Sequence, residues 1–135
     1  LHMPDIIQPF SRFGIEDIKN ELYWDGLAEC YKRGLVKNVG VSNYGPTLLA
    51  RAQEHLAKQG VPLASNQIAF NLLTRRQGSE ATVKAGAEMG VRTLAYYPLA
   101  MGLLTGKLTP ERFKGKNDLR SRDLLRYLGG SGGTA

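Results

Sequence analysis

Four polar positions close four short apolar runs: His2, the pair Ser42 and Asn43, Gln67, and Tyr96. Their side chains are of the kinds that hold and orient a polar organic ligand. Amides carry a donor and an acceptor together, and a hydroxyl can play either part. Ligand sites of parallel α/β folds lie at the carboxyl ends of strands, where these positions fall. Each position also has a purely architectural reading. His2 can be a hydrogen-bonded structural residue, Ser42 and Asn43 can form a turn and cap the following helix, and Gln67 and Tyr96 can fill an interior.

Stretches of helical character separate these runs. Leu22, Gly26, Leu27, Cys30 and Tyr31 recur at helical spacing up to Gly34, which predicts an amphipathic helix closed by a glycine. A strand is expected over Val36 to Val41. Pro46 then starts a helix with Leu48, Leu49, Ala52 and Leu56 inward, ending at Gly60. A buried strand over Ala64 to Ile68 follows. Ser79 is positioned to cap a third helix with Val83 and Ala87 inward, closed by Gly90, and Val91 to Tyr96 form another strand. Residues 5 to 20 are polar and irregular, as in a loop. Alternating strand and helix imply a parallel sheet with right-handed crossovers. The polar positions lie 40, 25 and 29 residues apart, near the roughly 31 per unit of an eight-unit βα barrel. At that rate 135 residues supply about half a barrel.

Composition is that of a soluble globular α/β chain, 42% hydrophobic and 22% charged, and no apolar run approaches the roughly 20 residues of a membrane-spanning helix. The amino end lacks the features of a secretory signal and reads as the middle of a domain. The single cysteine, Cys30, cannot form an internal disulfide, which favours a reducing compartment, and is read as helix packing. Lys107 to Tyr127 contains seven Lys or Arg and three Asp or Glu, so it holds most of the net charge of +6. This segment is either a solvated loop or a surface for phosphate or an acidic partner. The glycine-rich end, residues 128 to 135, reads as a flexible tail.

Several chemistries are excluded by their patterns. Gly102 to Lys107 lacks the four-residue glycine gap and following Ser or Thr of a phosphate loop, and no Gly-x-Gly-x-x-Gly opens a helix after a strand. Two histidines and one cysteine, widely separated, do not compose a zinc site, and His55 reads as a surface residue. Aromatic residues are not interleaved with the basic segment as a nucleic-acid stacking platform requires.

The stretch from Gly34 to Tyr44, then Ser65-Asn66-Gln67, then Leu94 to Leu99, resembles the central and later part of an aldo-keto reductase in order and spacing. Leu1 to Pro4 resembles the end of that family's fourth strand. Gly102 to Lys107 and Asp118 to Asp123 are similar to the loop after its seventh. The resemblance implies an α/β fold, a partial (β/α)8 barrel of about strands 4 to 7 over residues 1 to 127. It implies NADPH as cofactor and a small carbonyl compound, aldehyde or ketone, as substrate. His2 then corresponds to the histidine that orients the carbonyl. Ser42, Asn43 and Gln67 correspond to residues that hold the nicotinamide carboxamide, and Tyr96 to the ring that stacks on the nicotinamide face. The loop with Leu99, Gly102 and Lys107 is expected near the pyrophosphate, where backbone amides and a lysine can balance its charge. Tyr97 departs from the small residue usual in the family and is read as packing.

The family's proton-donating tyrosine, with the lysine and aspartate that tune it, has no counterpart in this sequence. Three readings therefore stand: a reductase whose barrel is incomplete here, a non-catalytic structural or interaction subunit docked on a protein partner in a larger complex, or a regulatory subunit that binds the cofactor without much turnover. Motif detail resembles plant and algal members, which implies the cytoplasm or the plastid stroma.

Overall fold

The computed structural model describes Leu1 and residues 18–107. His2, the basic segment beyond Lys107 and the glycine-rich end lie outside the described residues, as does most of the expected loop over residues 5 to 20.

Helix α1 (Ile18–Lys32) leads to strand β1 (Val39–Ser42), helix α2 (Pro46–Lys58), strand β2 (Leu63–Ala69), a short 3-10 turn (Thr74–Gln77), helix α3 (Ser79–Glu88), strand β3 (Arg92–Tyr96) and a second 3-10 segment (Ala100–Thr105). The strands form one sheet in the order β1-β2-β3, and both pairings are parallel. Successive parallel neighbours joined through helices are the arrangement of consecutive units in a (β/α)8 barrel. Among the described residues no helix is long and apolar enough to cross a membrane.

One device ends all three helices. After α1, the Gly34 amide donates to the Tyr31 carbonyl at 2.9 Å and the Leu35 amide to the Cys30 carbonyl at 3.0 Å, with Gly34 at φ +70°. Gly60 with Val61, and Gly90 with Val91, repeat the pattern. Such a left-handed glycine followed by an apolar residue satisfies the last carbonyls of the helix. At Val61 and Val91 it also places a buried side chain just ahead of the next strand.

The core lies between the helices and one face of the sheet. Trp24 and Ala28 from α1, Leu49, Ala52 and Leu56 from α2, and Val39 and Val41 from β1 are essentially inaccessible. Each buried leucine contributes on the order of 1.5–3 kcal/mol. The α2 expectation holds for Pro46 in the first turn and for Leu49, Ala52 and Leu56 inward, while Leu48 is half-buried against the core.

Four local expectations are corrected. In α1, Leu22 is 63% exposed, and the buried stripe runs through Asn20, Trp24 and Ala28. The indole decides this, because Trp24 Nε1 donates to the Tyr44 hydroxyl at 3.1 Å across the core. Strand β1 begins at Val39, since the turn at Gly34 leaves Leu35 and Val36 on the surface. Ser79 does not cap α3: Gly78 holds the cap position, and Ser79 Oγ donates to the Thr74 carbonyl at 2.6 Å. The buried residues of α3 are Thr82 and Gly86, while Ala87 is exposed. Gly86 is there because a Cβ would stand 3.1 Å from the Val91 carbonyl oxygen.

His55 links α2 to α1 and is partly buried. Its Nε2 lies 2.7 Å from Asp25 Oδ1, and its ring lies 5.4 Å from that of Trp24. Gln59 donates to the same carboxylate oxygen, and Lys32 donates to Gln59 at 3.0 Å. The bonds from His55 and then Gln59 hold the Asp25 carboxyl below the usual aspartate range.

Candidate functional site

Side chains alternate across the sheet, so register decides which residues share a face. Ser42 pairs with Gln67, and Gln67 with Leu94, while Ala69 pairs with Tyr96. The adjacent row, Val41, Asn66 and Thr93, faces the helices. Ser42, Gln67 and Tyr96 therefore project from the face opposite the helical layer. On that face Gly40 leaves room for Ser65, whose Oγ would lie 2.5 Å from a Cβ at position 40. The strand ends are thus brought into close lateral contact.

At the end of β1, Ser42 Oγ and the Asn43 amide both donate to the Gln67 carbonyl, at 2.8 and 2.9 Å. Asn43 has φ +63°, a left-handed conformation that asparagine adopts more readily than most residues. That turn lifts its side chain over the sheet edge. Asn43 Nδ2 donates to Ser42 Oγ at 3.0 Å, and Asn43 Oδ1 accepts the Tyr96 hydroxyl at 2.6 Å. One relay thereby joins β1 to β3 across the end of β2.

Buried Asn66 supports this turn from below. Its Nδ2 donates to the Tyr44 carbonyl at 2.9 Å, and its Oδ1 faces the Tyr44 amide at 3.4 Å. The two bonds grip one residue's backbone as a neighbouring strand would. At the end of β3, Tyr97 adopts φ +55°, and Ala100 and Met101 adopt +49° and +53°. Together with Asn43 these are the positive-φ non-glycine residues among the described ones, and all lie in the two loops at the strand ends. Such conformations cost about 1–3 kcal/mol each and concentrate at ligand sites.

The sequence-predicted residues divide as follows. Ser42, Asn43 and Tyr96 are joined by hydrogen bonds, and Gln67 stands exposed beside them on the same face. Tyr97 is corrected from packing: it is half exposed, with its ring edge-on to Tyr96 at 5.1 Å between centroids. Leu99 is exposed, Gly102 has φ +98°, and Lys107 is exposed at the end of the described loop. In that loop the amides of Ala100, Gly102 and Leu104 donate to loop carbonyls, so phosphate contacts from the backbone would fall to other amides. His2 lies outside the described residues.

Sequence reasoning missed Asn66 and Asn71. An asparagine on the apolar face of a strand must find partners, which marks Asn66. The spacing of Asn71 and Thr74 is that of a self-capping turn, and the Asn71 side chain accepts from the Leu73 and Thr74 amides at 2.9 and 3.0 Å.

Comparison with known proteins agrees with this geometry. The sequence model described as the Aldo/keto reductase family matches residues 1–127. The chain is 41% identical over 106 residues to the chloroplastic pyridoxal reductase of Arabidopsis thaliana, covering 78% of this chain and 29% of that protein. It is 36% identical over 81 residues to the L-glyceraldehyde 3-phosphate reductase of Escherichia coli, covering 60% and 23%. It is 30% identical over 123 residues to the aldo-keto reductase YhdN of Bacillus subtilis, covering 91% and 32%. The chain spans about a quarter to a third of the length of these relatives. With the family matched over residues 1–127 and the parallel βα units in place, this chain belongs to the aldo/keto reductase family.

Proposed function

We propose that these residues form the nicotinamide-holding part of an NADPH-dependent reductase of aldehydes or ketones. The observation that carries this reading is the relay from Ser42 through Asn43 to Tyr96, set on one sheet face beside Gln67. The donor set fits a carboxamide. Asn43 brings a side-chain acceptor and donor to this end of the sheet, the two kinds of group that a carboxamide pairs with. Gln67 supplies a further donor and acceptor from the exposed end of β2. The Tyr96 ring is partly exposed and offers a flat apolar face.

When bound, the cofactor would supply the hydride. Asn43, Ser42 and Gln67 would fix the rotation of the ring by its amide, and Tyr96 would cover one face so that hydride leaves from the other. Loop residues Leu99, Gly102 and Lys107 would lie toward the pyrophosphate. His2 would orient the substrate carbonyl. The chloroplastic location in the name of the Arabidopsis relative supports a plastid as the site of action.

NADPH fluorescence titration of the protein at its native length tests the reading. Saturable binding that weakens in Asn43→Ala is expected, and unchanged binding in that variant removes the proposal. The 135-residue polypeptide alone is expected to reduce no aldehyde, because general acid catalysis worth about 10²- to 10⁴-fold has no matching tyrosine here. Turnover by that polypeptide, abolished by His2→Ala, would contradict this. A second reading, a non-catalytic subunit docked on a partner, draws on the exposed Leu72, Leu94 and Leu99. Lack of NADPH binding together with stable co-purification of a partner would favour it.

A further inference from the structure

We infer that Asn71 is a positioning residue for Tyr96, acting through the backbone of Tyr97. This deepens the cofactor reading above and rests on it for its functional consequence. The structural part stands on the geometry alone.

Asn71 follows β2 by two residues and is 6% exposed. Its side-chain amide performs two separate tasks. The oxygen closes its own turn, accepting from the Leu73 and Thr74 amides, while the Asn71 amide donates to Thr74 Oγ1 at 2.9 Å. The nitrogen reaches the next strand end and donates to the Tyr97 carbonyl at 3.0 Å. Capping the turn needs an acceptor only, so the second bond is not explained by the turn.

The carbonyl it grips is one that needs holding. Tyr97 is a non-glycine residue at φ +55°, a conformation that persists only where surrounding contacts fix it. Three contacts do so. The Phe70 amide donates to the Tyr96 carbonyl at 3.3 Å, and the Tyr97 carbonyl accepts from Asn71 Nδ2 and from the Ala100 amide at 2.8 Å. Two successive carbonyls on either side of the Tyr97 Cα are therefore anchored from the exit of β2. With that backbone set, the Tyr96 phenol reaches Asn43 Oδ1 at 2.6 Å. Asn71 so determines where the ring face lies, through the Tyr97 backbone.

Asn71→Asp separates the two tasks, because aspartate keeps the acceptor and the shape but has no N–H to give Tyr97. The variant is compared with the parent protein at native length. Expected are a lowered melting temperature, since a buried carboxylate then faces the Tyr97 carbonyl, with amide protection at Leu73 and Thr74 retained, Ala100 protection reduced roughly tenfold and the Asn43 side-chain amide resonances displaced. NADPH affinity is expected to fall roughly three- to tenfold, and the loss to vanish in a Tyr96→Ala background. Unchanged Ala100 protection and Asn43 resonances in folded Asn71→Asp overturn the inference, as does an affinity loss that persists fully without Tyr96. If Asn71→Asp does not fold, Asn71→Ser, which keeps a shorter acceptor, is judged by the same criteria. A parent protein that binds no NADPH removes the cofactor reading, and the exchange and resonance comparison then decides the positioning role by itself.

Discussion

The Tyr96 hydroxyl donates to the Asn43 side-chain oxygen at 2.6 Å, joining residues 53 positions apart across the end of the strand between them. A tyrosine at this place therefore does two things that a phenylalanine would divide. The ring is a face for stacking, and the hydroxyl fixes both that face and the amide of Asn43.

Substitutions at Tyr96 separate these contributions. Tyr96→Ala removes the face and is expected to cost about 1–3 kcal/mol of NADPH binding, by analogy with base stacking on aromatic side chains. Tyr96→Phe keeps the face and loses one hydrogen bond, for roughly 0.5–1.5 kcal/mol. Fluorescence titration of both variants checks the order. Equal losses would mean that the hydroxyl, not the ring, carries the effect.

Asn66→Ala tests the support beneath the turn. It strips the Tyr44 backbone of both side-chain bonds in a buried setting, where an unsatisfied polar group costs about 1–3 kcal/mol. A loss of roughly 2–4 kcal/mol in urea unfolding is expected once the small void is included. A change below about 0.5 kcal/mol, within the range of ordinary surface substitutions, would show that water replaces the amide.

At Gly86 two effects oppose each other. Alanine gains about 1 kcal/mol of helix propensity, but its Cβ would stand 3.1 Å from the Val91 carbonyl oxygen. The Val91 amide is itself bonded to the Gly86 carbonyl at 2.8 Å, so neither backbone can easily yield. Gly86→Ala is therefore expected to lower the melting temperature despite the better helix former. A raised melting temperature would show that the helix slides without cost.

The Asp25 carboxyl, bonded by His55 and then Gln59, has its folded pKa below the ordinary value of 3.8. The stabilisation it gives is present above that ordinary value and is lost as pH falls through the lower folded one. The carboxylate is half exposed, so the whole effect is at most about 1 kcal/mol. Melting of wild type and Asp25→Asn should differ at neutral pH and converge in strong acid. A difference that grows on acidification would refute this.

The βα alternation was legible because its signals are local. A proline in the first turn, glycines after the last, and apolar residues three and four apart specified α2 almost completely. The α1 face was misread because Leu22 looked as apolar as Trp24, and only the distant Tyr44 hydroxyl selects between them. The chemistry of Ser42, Asn43, Gln67 and Tyr96 was visible as polar residues ending apolar runs. The two asparagines that brace them were not, since their partners lie 22 and 26 residues away, in contacts that no local pattern encodes.

The chain contains one tryptophan, and it is wired to the candidate site. Trp24 donates to the hydroxyl of Tyr44, the residue after Asn43, and the His55 ring also lies beside it. Its emission is therefore a built-in optical readout of the Asn43 turn, sensitive to a rearrangement there without any added label. Because the indole is buried and bonded, a shift in its spectrum under native conditions would report a change at the Tyr44 turn or at the His55 ring, distinct from the red shift of a chain that has come apart.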